Sequence, residues 1–350
     1  MATKRLGTVL PLGGQPWRGI GPFVYANHHV DRYPAGTKTL GPDPALLKGR
    51  KVGDDFHDAS KSGWNMYMAT GPVPGFPAHP HRGFETISIV RQGIIDHADS
   101  TGAGARYGAG DVQWVTAGSG VRHSEMFPLL KQDGPNTAEL YQLWLNLPKK
   151  TKWSPPEFTM QWAEEVPKVT HTDGGKTVVT IVAGEYGGKK ALAPPRASWA
   201  SDPDSDLAIW LIEMEAGADV VLPPPRGADT KRLLYVHGDG AKVRIGADTV
   251  DSEHGFEPAT EAATSPLPVH ADTASKILVL QAREINEPIF IKGPFVMNTQ
   301  EEIAQAYKDY KANHFGWNER WETTSPNWGP TETRFANFGD GVRTRPPSSS

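Results

Sequence analysis

Residues 75–86 read Gly75-Phe76-Pro77-Ala78-His79-Pro80-His81-Arg82-Gly83-Phe84-Glu85-Thr86. In an extended strand, side chains two residues apart project to the same face, about 6–7 Å apart along the chain. His79 and His81 therefore stand together and can converge on one ion. The surroundings are built to match. Thr86-Ile87-Ser88-Ile89-Val90 is β-prone and closes at Arg91-Gln92-Gly93; Val112-Gln113-Trp114-Val115 and Tyr141-Gln142-Leu143-Trp144-Leu145 follow at intervals set by Gly and Pro turns. Short strands at this spacing, with no long amphipathic helix between them, predict a β-sandwich or barrel.

A second pair occurs in Gly110-Asp111-Val112-Gln113-Trp114-Val115-Thr116-Ala117-Gly118-Ser119-Gly120-Val121-Arg122-His123-Ser124-Glu125, where His123 and Glu125 repeat the two-residue spacing after a Gly-rich turn. Two such pairs on neighbouring strands make a site of three imidazoles and one carboxylate, which suits a first-row divalent metal with open positions. An isolated His-x-His is more often incidental; the second pair reverses that reading. Glu85 competes for the carboxylate role, but on an unbent strand it lies about 13 Å beyond His81. Geometry favours Glu125, with Glu85 kept as an outer neighbour of the site. His97 is a candidate for the pocket rim or a solvated turn; His28, His29 and His57 read as surface or packing residues. Phe84 and Trp114 are candidate pocket walls.

Composition narrows the class. The 350 residues carry 36 Lys+Arg against 40 Asp+Glu, a net charge of −4, and no Cys. The slightly acidic balance disfavours a nucleic-acid binder, which needs a basic field. The clusters Lys48-Gly49-Arg50-Lys51, Lys149-Lys150-Thr151-Lys152 and Lys189-Lys190 read as solvated loops. Without Cys there is no disulfide, thiolate zinc site, iron–sulfur cluster or thiol catalysis, so a metal must sit on His, Asp or Glu. No apolar run approaches the roughly 18 residues of a membrane span, and the N-terminus lacks a signal-like apolar stretch, so a cytoplasmic protein is expected, nuclear also if the cell has a nucleus.

A second β series starts near Thr177-Val178-Val179-Thr180-Ile181-Val182 and continues through Ala208–Met214, Leu233–Val236, Ala241–Ile245 and Lys276–Leu280. Two β units are expected: residues 1–150 with the metal site, a connection at 151–175, and residues 176–316. The second half holds only scattered His171, His237, His254, His270 and His314. One helix is signalled by the capping box Thr299…Glu302, with Ile303, Ala306, Tyr307 and Tyr310 on one face and Gly316 as a stop. It is expected to cross the second unit. Residues 317–350 read as an arm whose Trp317, Trp321 and Trp328 pack back, with a disordered tip.

Several long motifs in order resemble the pirin family. They are the His-Pro-His-Arg-Gly-Phe-Glu-Thr run at 79–86, Asp96-His97 followed by Asp99-Ser100, the 110–126 stretch ending in His123-Ser124-Glu125-Met126, Leu143-Trp144-Leu145-Asn146-Leu147-Pro148, and Gly293-Pro294-Phe295-Val296-Met297-Asn298-Thr299. The resemblance spans about residues 21–316. It implies two cupin-type antiparallel β-barrels, a bicupin packed face to face. A single iron, most simply Fe2+ with other divalent transition metals as alternatives, would be held at His79, His81, His123 and Glu125, and the second barrel would have lost its ligands. It further implies a flavonol (quercetin-type) 2,3-dioxygenase that uses O2, opens the ring and releases carbon monoxide, with Glu125 as catalytic base. The alternative it carries is a non-catalytic, iron-dependent regulator that binds a transcription factor or metabolic enzyme. Residues 34–62 and the tail exceed the family pattern and bear on pocket access or assembly.

Overall fold

The computed structural model describes residues 5–56, 59–172, 174–259, 265–315 and 328–348. Its strands are β1 (Gly7–Pro11), β2 (Phe23–Tyr33), β3 (Gly75–His81), β4 (Phe84–Gln92), β5 (Ile94–Asp99), β6 (Gly104–Gly108), β7 (Val112–Thr116), β8 (Val121–Met126), β9 (Asn136–Asn146), β10 (Glu157–Gln161), β11 (Lys168–His171), β12 (Thr177–Ala183) and further strands given below by range. A one-turn helix α1 (Ala59–Ser62) and the longer α2 (Gln300–Lys311) interrupt them. The fold is all-β and its strand ladders are antiparallel, as expected. Among the described residues, no helix is long and apolar enough to cross a membrane.

The chain divides into two compact units, each built from two segments: Met1–Ala26 with Glu165–Asn286, and Asn27–Glu164 with Glu287–Ser350. This differs from the contiguous domains expected from sequence. The 151–175 stretch is no bare connection, since β10 pairs with β7 in one unit and β11 with β12 in the other. β1 also leaves its sequence neighbours and pairs with His254–Pro258.

The unit containing residues 27–164 has a five-stranded sheet, β10-β7-β4-β9-β2, and a six-stranded one, β3-β8-β5-β6 extended by Phe335–Asn337 and Arg343–Thr344. β4 is central because both its faces are apolar enough to bury: Phe84, Ile87, Ile89 and Val90 are all sealed from solvent. Each such side chain contributes about 1.5–3 kcal/mol of burial. The insertion is tied down by Arg50, whose guanidinium binds Asp55 and the Trp64 carbonyl while lying over the Trp64 ring.

α2 belongs to this unit, not to the one holding residues 165–286 with which the sequence associated it. Thr299 Oγ1 accepts from the Glu302 amide, and the Glu302 carboxylate accepts from the Asn298 and Thr299 amides, so the capping box is complete. Ile303 and Ala306 form the buried stripe against Phe295, Met297 and Phe315. The helix ends before Gly316: Asn313, at φ 60°, takes the left-handed position after the last turn. Gly316, Trp317, Trp321 and His57 lie outside the described residues. Trp328 does pack back, donating from its indole nitrogen to the Ala105 carbonyl and meeting the Phe335 ring at 5.2 Å.

The other unit has a seven-stranded sheet ordered β1, His254–Pro258, Lys231–His237, Ser275–Ala282, Ala208–Met214, β12, β11, and a four-stranded sheet of Asp219–Leu222, Leu267–Ala271, Lys242–Ile245 and Asp248–Asp251. Its core is apolar, with Val179, Ile181, Ile212, Leu234, Val243 and Val279 sealed among their neighbours. No set of ligating groups lies in that interior among the described residues.

Candidate metal centre

Antiparallel pairing of β3 with β8 sets His79 opposite His123, and directly opposed residues share a face. The ring centroids lie 4.8 Å (His79–His81), 4.5 Å (His79–His123) and 4.9 Å (His81–His123) apart. Their ligating atoms all fall within 4.8 Å of one another, the single such group among the described residues. His79 Nδ1–H donates to the Pro77 carbonyl at 2.8 Å, so its Nε2 presents a lone pair to the cluster, 3.0 Å from His123 Nε2. Burial pushes His79 down to about 4 and drives His81 and His123 well below the usual imidazole range. All three rings are therefore neutral at pH 7, the form that binds a metal. Neutral imidazoles whose nitrogens crowd together, two of them buried and His79 half-buried, fit a divalent transition ion.

Glu125 stands at the edge of this group, its Oε2 3.8 Å from His123 Nε2. Its Oε1 accepts from Ser88 Oγ at 3.0 Å, and Ser88 Oγ also lies 2.8 Å from Gln142 Oε1. Burial raises the Glu125 pKa, with His97 and Ser88 opposing. β4 thus steadies the carboxylate across the barrel, a role that the sequence reading missed. Glu85 takes the other face of β4. Alternation puts Phe84, Thr86 and Ser88 toward the cluster and Glu85 away from it, where it accepts from Thr116 Oγ1 at 2.7 Å.

The same parity sorts the proposed walls. Phe84 meets the His81 ring at 5.0 Å, and Trp144, which the sequence reading did not single out, meets it at 5.5 Å. Trp114 pairs with Ile87 and faces away from the cluster. His97 is not on a rim. It is fully buried opposite Glu125 on β5, its ring 5.5 Å from His123 and its Nε2 3.0 Å from Asp99 Oδ2. A bulge between Phe76 and His79 turns Phe76 to the face shared with Glu125. Phe76 then stacks on Tyr67 at 4.7 Å, and His29 packs edge-on to Tyr67 with its Nδ1 on the Tyr67 hydroxyl, while His28 binds Glu139.

The family model for pirin matches residues 51–145, and that for the pirin C-terminal cupin domain matches residues 209–316. The chain belongs to the pirin family. Human pirin is 34% identical over 266 residues, covering 73% of this chain and 84% of its own length. A Pseudomonas aeruginosa pirin relative, named provisionally as a quercetin 2,3-dioxygenase, is 36% identical over 241 residues, covering 69% and 79%. The crystal structure titled quercetin 2,3-dioxygenase from Acinetobacter baumannii superposes with a TM-score of 0.69 at 27% identity, over 90% of this chain and 99% of that one. As a pirin the chain carries the two-cupin fold expected from its motifs, and the histidine group lies in the unit matched by the first pirin model.

Proposed function

We propose that this pirin holds one iron, as Fe2+, at His79, His81 and His123 with Glu125, and acts as a dioxygenase on flavonol-type aromatics. The observation that carries the reading is the convergence of three neutral imidazoles beside a buried carboxylate whose second oxygen is held by Ser88. Bound there, iron would supply Lewis acidity toward adjacent substrate oxygens and the redox chemistry that O2 requires.

The protein's own part is binding and proton transfer. Trp144 beside His81, backed by buried Phe84, and Phe76 on the Glu125 face offer ring surfaces to a planar aromatic. Glu125, made more basic by burial, accepts the flavonol hydroxyl proton at Oε2 and becomes the neutral acid, leaving the substrate as its anion. Ser88 keeps Oε1 fixed while Oε2 takes the proton. The names of the Pseudomonas relative and the Acinetobacter structure support the same substrate class.

The test is oxygen uptake and carbon monoxide release by iron-loaded protein against a panel of flavonols. Turnover that is lost in His81→Ala supports the reading. Stoichiometric iron without uptake on any flavonol would leave the iron-dependent regulator as the function.

A further inference from the structure

We infer that the metal centre is braced from outside the barrel by α2, through an Arg82–Asp309 ion pair that couples the two ligand-bearing turns. This rests on the reading of His79, His81 and His123 as metal ligands. Arg82 immediately follows His81 and is buried. Its Nε–H donates to the Ser119 carbonyl at 2.6 Å, in the turn that leads to His123 and Glu125. Its other arm donates to Asp309 Oδ2 on α2 at 2.7 Å. The guanidinium plane lies over Phe315 at 4.4 Å, and Phe315 in turn fills the space above Gly120. One side chain thus touches the turn after the first ligand pair, the turn before the second, and the end of a helix more than 200 residues away.

The backbone repeats the connection. The Val296 amide donates to the Arg82 carbonyl at 3.0 Å, and buried Lys152 Nζ donates to the carbonyls of Gly83 and Val296. Ser100 Oγ donates to the Phe315 carbonyl and accepts from the Arg122 amide, one residue before His123. None of these groups belongs to the histidine cluster. They set the relative position of its two strands, and a metal whose ligands come from two strands is sensitive to that position. Arg82 and Asp309 are positioning residues. Arg82 is buried and Asp309 half-buried, side chains 4% and 17% exposed, so removing Asp309 leaves the guanidinium poorly compensated.

The experiment uses the full chain stripped of metal and titrated with Co2+, reading dissociation constant and visible ligand-field spectrum beside the melting temperature of the metal-free protein. Asp309→Ala should weaken Co2+ binding by about 10–100-fold and alter the spectrum. Asp309→Asn, whose amide oxygen can still accept from Arg82, should lose less, and it carries the test if the alanine variant does not fold. Ala304→Gly, on the exposed face of α2, should lower the melting temperature while leaving affinity and spectrum unchanged. Co2+ bound by the Asp309 variants as tightly as by wild type, with the same spectrum, would overturn the brace. So would an equal loss of affinity in Ala304→Gly, which would trace the effect to helix stability alone. Wild-type protein that takes up no Co2+ would instead overturn the metal reading on which the brace rests.

Discussion

Glu85 and Glu125 are both buried carboxylates near the histidine cluster, and strand parity separates them. Glu125→Gln should lower flavonol turnover by about 10²–10⁴-fold while iron is retained, because an amide cannot accept the substrate proton. Glu85→Gln should leave turnover close to wild type; steady-state rates and iron content of both variants check this. A different carboxylate, Asp31, contributes to the pH dependence of stability. Burial pushes Asp31 up to about 6 from its ordinary 3.8, against hydrogen bonds from Tyr67 and Asn65. A folded-state pKa above the unfolded one means the contribution is fully present below the unfolded value and is lost as pH rises through the folded value. Asp31→Asn should therefore gain stability over wild type between pH 4 and pH 7, by up to about 3 kcal/mol. Denaturant midpoints of the two proteins across that range are the measurement, and a constant difference would refute it.

The turn between β3 and β4 is where strand geometry and the metal site meet. Gly83 has φ 85°, and a Cβ there would lie 2.0 Å from the Val296 carbonyl oxygen. No side chain fits without displacing the hairpin that carries Val296. Gly83→Ala should cost about 1–3 kcal/mol of stability and weaken metal binding together, because the displaced turn carries His81 at its start. Thermal unfolding with and without added Co2+ separates the two effects. The bulge before His79 is the other device of this kind: one extra residue on β3 brings Phe76 onto the face of Glu125. The alternation rule alone would have put Phe76 on the opposite side from His79.

Across the whole molecule, the C-terminal segment is a structural part of the unit that carries the histidines. Buried Arg106 binds Asp96 through Nε and Nη2 and donates from Nη1 to the Gly329 and Glu332 carbonyls, while Phe335–Asn337 pairs with β6. Deleting residues from Trp317 onward should expose the Arg106–Asp96 pair and lower the melting temperature by several degrees without removing the metal. Calorimetry and elemental analysis of the truncated chain check it. The intact protein should hold one transition-metal ion per chain, and His81→Ala should hold none. That comparison needs the full chain, since a protein cut between the sequence halves would lack residues 287–348 from the histidine unit.

The strands, the spacing that sets His79 with His81 and His123 with Glu125 on shared faces, and the capped helix were legible in the sequence because each depends on local rules. A period of two decides which residues share a face, Gly marks turns, and Thr299 with Glu302 caps a helix using only neighbouring backbone. The histidines could be paired on that basis alone, since both motifs carry their own spacing. What each element packs against was decided by tertiary structure. α2 went to the unit that carries the histidines, β1 to the other, and Trp114 and Phe84 to opposite faces, through contacts between residues far apart in the chain. Glu125 is steadied by Ser88, 37 residues away, and Arg82 by Asp309, 227 residues away. No local pattern encodes such partners, because long-range pairing is selected by the burial and charge compensation of the assembled unit.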